Sequence, residues 1–374
     1  MRIARLLAVS RKEVIQIRRD PRSLGMAFVI PMILLFLFGY ALTLDVDNLQ
    51  TIVYDQDRTA ASRGFLAQFE ASGYFRVAAI ARNYSDVEWA LDSGKAQVGL
   101  VIPRNFARDL DLGRQVPVQA LLDGSDSNTA TIAISYLEAI SGRYSTQLVT
   151  EQSGLTRLDP PVETRLRVWY NPELESKNYI VPALIAVIMM VIAALLTSLT
   201  VAREWERGTM EQLIATPIKV PELVLGKLLP YFAIGFIDVT LAVLAGTLIF
   251  RVPFRGDLVL LLGLSLIFLL GALSLGMLIS IRAKSQLVAS QVAMVITFLP
   301  SFLLSGFMYD IGNMPGWLQA ITYAFPARYF VTILKGIFLK GIGLRLLAIE
   351  AVFLGLFALI VTVAANRMFT KNLE

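Results

Sequence analysis

The sequence predicts a polytopic α-helical membrane protein with six transmembrane helices and an extracytoplasmic α/β domain inserted between the first and second. Three observations predict it. The chain of 374 residues is 56% hydrophobic and only 17% charged, against about 25% charged in soluble domains. Its apolar residues are gathered into runs long enough to cross a bilayer, which takes ~20 residues at 1.5 Å rise. Residues 45–176, between the first two runs, hold 12 Lys/Arg against 18 Asp/Glu, a net of −6, whereas the remainder holds 22 against 11, a net of +11. A basic membrane part with an acidic soluble insert fits positive cytoplasmic flanks, and no stacking motif or basic stripe points to nucleic acid.

Cysteine and histidine are both absent. This excludes thiol nucleophiles, disulfides, thiolate or imidazole metal sites and His-based triads. No Gly-x-x-x-x-Gly-Lys-Ser/Thr occurs, since Gly94-Lys95 and Gly226-Lys227 lack both the spacing and the hydroxyl residue. The chain therefore binds no ATP through a P-loop. It offers no catalytic residue and no metal-ligand set.

The elements follow in order. Residues 1–23 read as an amphipathic interfacial helix, with Ile3, Leu6, Leu7, Ser10, Val14 and Ile17 on one face and Arg2, Arg5, Lys12, Arg18 and Arg19 elsewhere. Asp20-Pro21 ends it. Residues 24–44 then run 21 positions without a charge, longer than a signal-peptide apolar region, and form an uncleaved first span. Pro31 is tolerable there because neighbouring helices can satisfy the freed carbonyl. Within 45–176, Thr51–Tyr54, Ala96–Ile102 and Val116–Leu122 read as strands, and Glu163–Tyr170 as a closing strand. Ser85-Asp86-Val87-Glu88 reads as a capping box, Pro103 as the first turn of a helix carrying Phe106 and Leu110, and Ser127–Gln152 as a long helix. Further spans fall at 179–202, 228–250, 258–281, 286–306 and 345–366, ahead of a tail at 367–374. Fifteen basic residues then lie on the side of the termini against six on the other. The positive-inside rule puts both termini and the 203–222 loop in the cytoplasm and the α/β insert outside.

That loop is the densest short run of charge in the second half. Gly208 frees the backbone, Thr209 is placed to cap a helix, and Gln212 is placed to complete a capping box, so a short helix runs from Met210 until Pro217. Arg203, Glu204, Glu206 and Arg207 make it either a docking element or a solvated loop that fixes topology, and spacing alone leaves both open. Asp238 sits near the middle of the third span, where a carboxylate is costly. It is either a polar group on a translocation path or a protonated, silent helix contact. Residues 307–341, with Met314-Pro315, Trp317, Phe325-Pro326, Arg328 and Tyr329, suggest two short helices dipping into or lying on the outer leaflet, and aromatic anchoring accounts for them.

Three stretches together carry a resemblance. They are Asn171-Pro172-Glu173, the run from Arg203 to Leu213 with Thr216-Pro217 and Gly226-Lys227, and Gly306-Phe307-Met308 with Asn313-Met314-Pro315 and Pro326-Ala327-Arg328-Tyr329-Phe330. Over nearly the whole chain they resemble the permease subunits of bacterial type-2 ABC exporters, in the multidrug-efflux-like branch with a large extracytoplasmic domain. Trp205 departs from the Lys or Arg more usual there. The resemblance implies a multi-pass protein of the inner membrane without an ATPase site of its own. It implies a second permease, as homodimer or heterodimer, and a separate ABC ATPase subunit that holds ATP and Mg. It makes residues 1–23 an elbow helix and 203–222 a coupling loop, with Arg203, Glu204, Glu206, Arg207, Gly208, Thr209, Glu211 and Gln212 toward the ATPase. The cargo would be a hydrophobic or amphipathic drug-like compound or a lipid, with handover to a periplasmic adaptor as an option and membrane lipid around the spans. Two readings from other classes stand beside it: an ion-coupled carrier using Asp238, and a membrane-anchored binding or scaffold protein.

Overall fold

The computed structural model describes residues 2–21, 25–42, 46–152, 167–173 and 175–369. They form two compact units, Leu44–Leu166 and the remainder, Met1–Thr43 with Arg167–Glu374.

Among the described residues of the second unit, five helices are long and apolar enough to cross a membrane: α7 (Ser176–Glu206), α9 (Val220–Leu248), α10 (Leu258–Ala283), α11 (Gln286–Leu303) and α14 (Ala348–Met368). A shorter apolar helix precedes them, a π-helical turn Gly25–Val29 leading into α2 (Ile30–Ala41). The ends of the expected first span, residues 22–24 and 43–45, lie outside the described residues. Pro31 falls in the first turn of α2, where its missing N–H would have had no helical partner in any case.

Helix α7 is apolar around its whole circumference and is buried on nearly every face, as such a helix must be. It is the post around which α10 and α11 pack. The closest approach is at Gly276 of α10, where a Cβ would lie 2.1 Å from Ala194 O and from Thr197 Oγ1. Thr197 Oγ1 donates to Leu273 O at 2.8 Å. Small residues admit this proximity, and a hydroxyl closes it. Helices α7 and α9 outrun the expected spans at 179–202 and 228–250, because a helix continues through charged residues that an apolar window excludes. Glu222 and Lys227 thus belong to α9 itself.

Before these spans runs α1 (Ile3–Arg18). Between α7 and α9 lies α8 (Met210–Ile214), which ends ahead of Pro217. The 307–341 segment contains two short α-helices, α12 (Gly316–Thr322) and α13 (Pro326–Lys335), followed by a π turn Gly336–Lys340.

The other unit is an α/β fold. Its sheet has the order β2-β1-β3-β4, with β1 (Leu49–Asp55) parallel to both β2 (Phe75–Ile80) and β3 (Val98–Ile102), and β4 (Gln119–Leu122) antiparallel to β3. The helices are α3 (Ala60–Ala71), α4 (Tyr84–Asp92), α5 (Phe106–Asp111) and α6 (Ser127–Gln152). Phe65, Phe69, Phe75 and Phe106 pack as one aromatic core. Asp126 accepts from the Thr129 hydroxyl and, at 3.1 Å, from the Asn128 amide at the start of α6, and these bonds hold its carboxyl below the usual range.

Three local expectations need correction. Helix α4 is capped by Asn83 reciprocally with Asp86, not from Ser85, because the Asn83 carboxamide meets the Asp86 amide at 2.9 Å. Strand β2 and helix α3, the latter closed by a Thr59/Ser62 box, are additional elements. Of the expected closing strand, residues 163–166 lie outside the described residues, and Arg167–Tyr170 are not in a strand.

Candidate functional site

Helix α1 turns inward a face that only partly overlaps the one its apolar spacing suggests: Ser10 and Ile17 are shared, Val9 and Glu13 are not. Val9, Ser10, Glu13 and Ile17 are buried, while Ile3, Leu7 and Val14 stay exposed. The cause is Gly226 in α9. A Cβ there would come within 2.8 Å of Val9 Cβ and 3.0 Å of Leu6 O, so the bare backbone at Gly226 lets Val9 and the α1 backbone seat directly on α9. This contact carries an acid, Glu13, into the protein interior.

Lys227, one residue on from Gly226, meets it. Its Nζ lies 2.6 Å from Glu13 Oε1 and 2.9 Å from Glu204 Oε1. Lys12 donates to the same Glu204 oxygen. Two carboxylates are thereby set against two ammonium groups. The side chains of Lys227 and Glu13 are 1% and 2% exposed, and charges so far from water persist only when paired and hydrogen-bonded. The cluster ties α1, the end of α7 and the start of α9 into one base.

Further bonds extend that base. Arg203 pairs with Asp20 at 3.3 Å and donates from Nε to Gln286 Oε1 at 3.3 Å. Glu206 accepts the Gln286 backbone N–H at 2.7 Å and the Ser285 hydroxyl at 3.1 Å, satisfying one of the otherwise unbonded amides that open α11. Glu222 accepts the Arg2 N–H at 2.6 Å and the Lys219 N–H at 3.0 Å, and the Arg5 guanidinium donates to Pro217 O. Helix α8 is mounted here through Met210, which is buried, while Arg207, Gly208, Glu211 and Gln212 are exposed.

The residues expected to act together at the loop thus divide into two sets. Arg203 and Glu204 are buried in ion pairs within the chain, and Glu206 is committed to the start of α11. Arg207, Glu211 and Gln212 face outward, and Gly208 takes a left-handed φ of +68° that brings the chain from α7 into α8. The expected capping box is absent. Thr209 is itself in the helical region (φ −80°, ψ −9°) rather than the extended region a capping residue needs, and its hydroxyl instead faces Glu204 O at 3.4 Å. Lys12, Glu13, Asp20 and Glu222 are the participants that the sequence reading omits. Glu13 had a signal: it stands four residues from Val9 and four from Ile17, on one helical stripe.

At 307–341, Arg328 donates to the Thr322 hydroxyl and to Gln319 O at 3.3 Å, and its guanidinium lies 3.8 Å from the Tyr323 ring centroid. Tyr329 donates to Tyr323 O at 2.7 Å and stacks on Phe353 of α14. Pro326 opens α13, whose Phe330 stacks on Phe268 of α10 at 4.0 Å. Tyr329 and Phe330 are buried in protein, which corrects the anchoring account for α13, whereas Tyr323, Phe353 and Trp317 of α12 stay exposed. Asp238 is 1% exposed, and neither carboxylate oxygen has a hydrogen-bond partner among the described residues.

Residues 21–366 match the model of a family described as "ABC-2 family transporter protein". The chain is 40% identical over 351 residues, 94% of its length and 92% of the relative's, to "Probable multidrug ABC transporter permease YbhS" of Escherichia coli (strain K12). It is 32% identical over 340 residues, 91% of each, to "Probable multidrug ABC transporter permease YbhR" of the same strain. It is 23% identical over 386 residues, 98% of this chain and 51% of the relative, to "ABC transporter G family member 20" of Dictyostelium discoideum.

Proposed function

This chain belongs to the ABC-2 family of transporter proteins, and on that premise we propose that it is the permease subunit of an ATP-driven exporter whose hydrolysis is carried out by a separate ABC ATPase. As an ABC-2 permease the chain is a membrane subunit without an ATPase site of its own. ATP and Mg are held by the partner. A second permease completes the translocation path, and the similarity to two permeases of one strain favours a related chain over a copy. The cargo is a hydrophobic or amphipathic compound or a lipid, consistent with relatives named for multidrug transport. The apolar helix ahead of α7 supplies the sixth span, both termini are cytoplasmic, and the α/β unit is extracytoplasmic, where it can meet a periplasmic adaptor.

One observation carries the reading: Arg207 at the end of α7 and Glu211 and Gln212 on α8 face solvent from a base that is held by buried ion pairs. An exposed polar surface with both signs of charge suits a reversible interface, while a rigid support transmits displacement rather than absorbing it. When the ATPase dimer closes, motion of α8 reaches α1 and α9 through Lys227 and Glu204, and reaches α11 through Glu206. Arg203 and Glu204 therefore act as positioning residues, not as docking ones.

The test is co-purification with the ABC ATPase, ATP turnover and export, measured on one set of reconstituted variants. Arg207→Ala, Glu211→Ala and Gln212→Ala should each weaken ATPase capture, by roughly tenfold where a charged hydrogen bond is lost. Capture and transport at the parent level in all three would leave the loop as a topology signal only.

A further inference from the structure

A cavity of about 810 Å³ opens between the end of α1, the last turns of α7 and the start of α11. Its size lies within the ~300–1,000 Å³ range of small-molecule sites. Four cations line it, Lys12, Arg19, Arg203 and Arg207, against one carboxylate, Asp20. Asp20 is committed to Arg203, and Lys12 to Glu204. Arg19 and Arg207 are exposed and have no carboxylate partner among the described residues. Among the described residues the lining therefore carries net positive charge.

The wall is not wholly polar. Ile15 and Leu199 also line it, and Leu199 lies about one turn inside the apolar length of α7, so the cavity runs from the charged helix ends to the edge of the apolar span. Along the same helix α1, Ile3, Leu7 and Val14 stay exposed, as suits a helix lying in the headgroup layer. A soluble anion would use the arginines but not the aliphatic wall. An amphiphile with an anionic head uses both, and basic pockets between membrane helices select such headgroups electrostatically.

We propose that this cavity is a binding site for an anionic phospholipid, with Arg19 and Arg207 holding the headgroup phosphate and Ile15 and Leu199 in contact with the start of an acyl chain. A planar guanidinium pairs with phosphate through two parallel hydrogen bonds, which gives the two arginines an advantage over Lys12. Arg207 also borders α8, so an occupied site fixes the membrane-facing side of the loop from which α8 projects.

The experiment uses the full chain purified without an ATPase, titrated in neutral detergent with phosphatidylglycerol, phosphatidylcholine or inorganic phosphate. Retained lipid is read by native mass spectrometry and the thermal midpoint by scanning. Phosphatidylglycerol should be retained and raise the midpoint, and the other two should not. Arg19→Gln with Arg207→Gln should weaken phosphatidylglycerol binding roughly tenfold or more. Arg19→Gln alone, at an exposed helix end, should weaken it severalfold and tests the site should the double variant fold poorly. Arg11→Gln, exposed on α1 but outside the cavity, should bind as the parent does. Equal retention of phosphatidylcholine, equal protection by inorganic phosphate, or undiminished binding by the arginine variants would each overturn the proposal. Loss of ATPase capture by Arg19→Gln with phosphatidylglycerol binding intact would overturn the proposal and assign the cavity to the ATPase instead.

Discussion

Lys227 Nζ lies 2.6 Å from Glu13 Oε1 across 214 residues of sequence, and the two side chains are among the most buried charges of the chain. One comes from α1 and the other from α9. Their pairing adds to the contact of Val9 with Gly226 in holding α1 to the membrane unit.

Removing either partner strands a charge in the interior. Lys227→Met or Glu13→Gln alone should destabilise the permease by about 3–5 kcal/mol, the usual cost of breaking a buried pair. The double variant should recover part of that loss. Thermal unfolding of the four proteins in one detergent gives the coupling directly, and strictly additive losses would mean that the pair is not energetically linked.

Gly226→Ala should separate α1 from α9. The added methyl would lie 2.8 Å from Val9 Cβ and 3.0 Å from a backbone oxygen, which cannot move as a side chain can. We expect a loss of about 1–3 kcal/mol, together with faster proteolytic cleavage within residues 2–19. A cleavage rate equal to the parent's would refute this packing.

Thr209→Ala should be nearly silent, within about 0.5 kcal/mol in thermal stability, because its hydroxyl caps nothing. Glu206→Ala should differ sharply. It removes the acceptor at the start of α11, so ATPase capture should persist while ATP-driven export falls. Equal loss of capture and export in this variant would place Glu206 at the docking surface.

Asp238→Asn keeps the shape of the side chain without its ability to ionise. Assembly should be intact, with export rate or cargo choice altered. Asp238→Leu should stabilise the fold by about 1–3 kcal/mol, since both carboxylate oxygens are buried without partners among the described residues. Unchanged export of every substrate by the Asn variant would leave Asp238 a packing residue.

Orientation can be tested cleanly because the chain has no cysteine. Cysteines introduced at Ser125 and Lys219, both exposed, should react with an impermeant maleimide from opposite sides, Ser125 from outside. Labelling of both from the same side would overturn the topology.

The apolar runs, the acidic α/β insert, the charged loop and the family resemblance are all legible in the sequence. Hydropathy, helix period and turn chemistry are local properties, and each is written within some twenty residues. The sequence also located α8 between Gly208 and Pro217, where backbone freedom and a proline leave little choice. Which charge is buried and which faces water depends instead on how the helices pack. Glu204 and Glu211 are the same residue type in one loop, yet Glu204 is buried between Lys12 and Lys227 and Glu211 faces water. Nothing within the loop distinguishes them, because Glu204's partners come from residues 12 and 227. Thr209 shows the same limit on a smaller scale: its spacing to Gln212 permits a capping box, but the turn at Gly208 brings it into α8 already helical, so the hydroxyl cannot reach the amide. Buried ion pairing follows from which helix ends meet in space, and that is settled by backbone contacts such as Gly226 against Val9, where the informative feature of the sequence is a missing side chain.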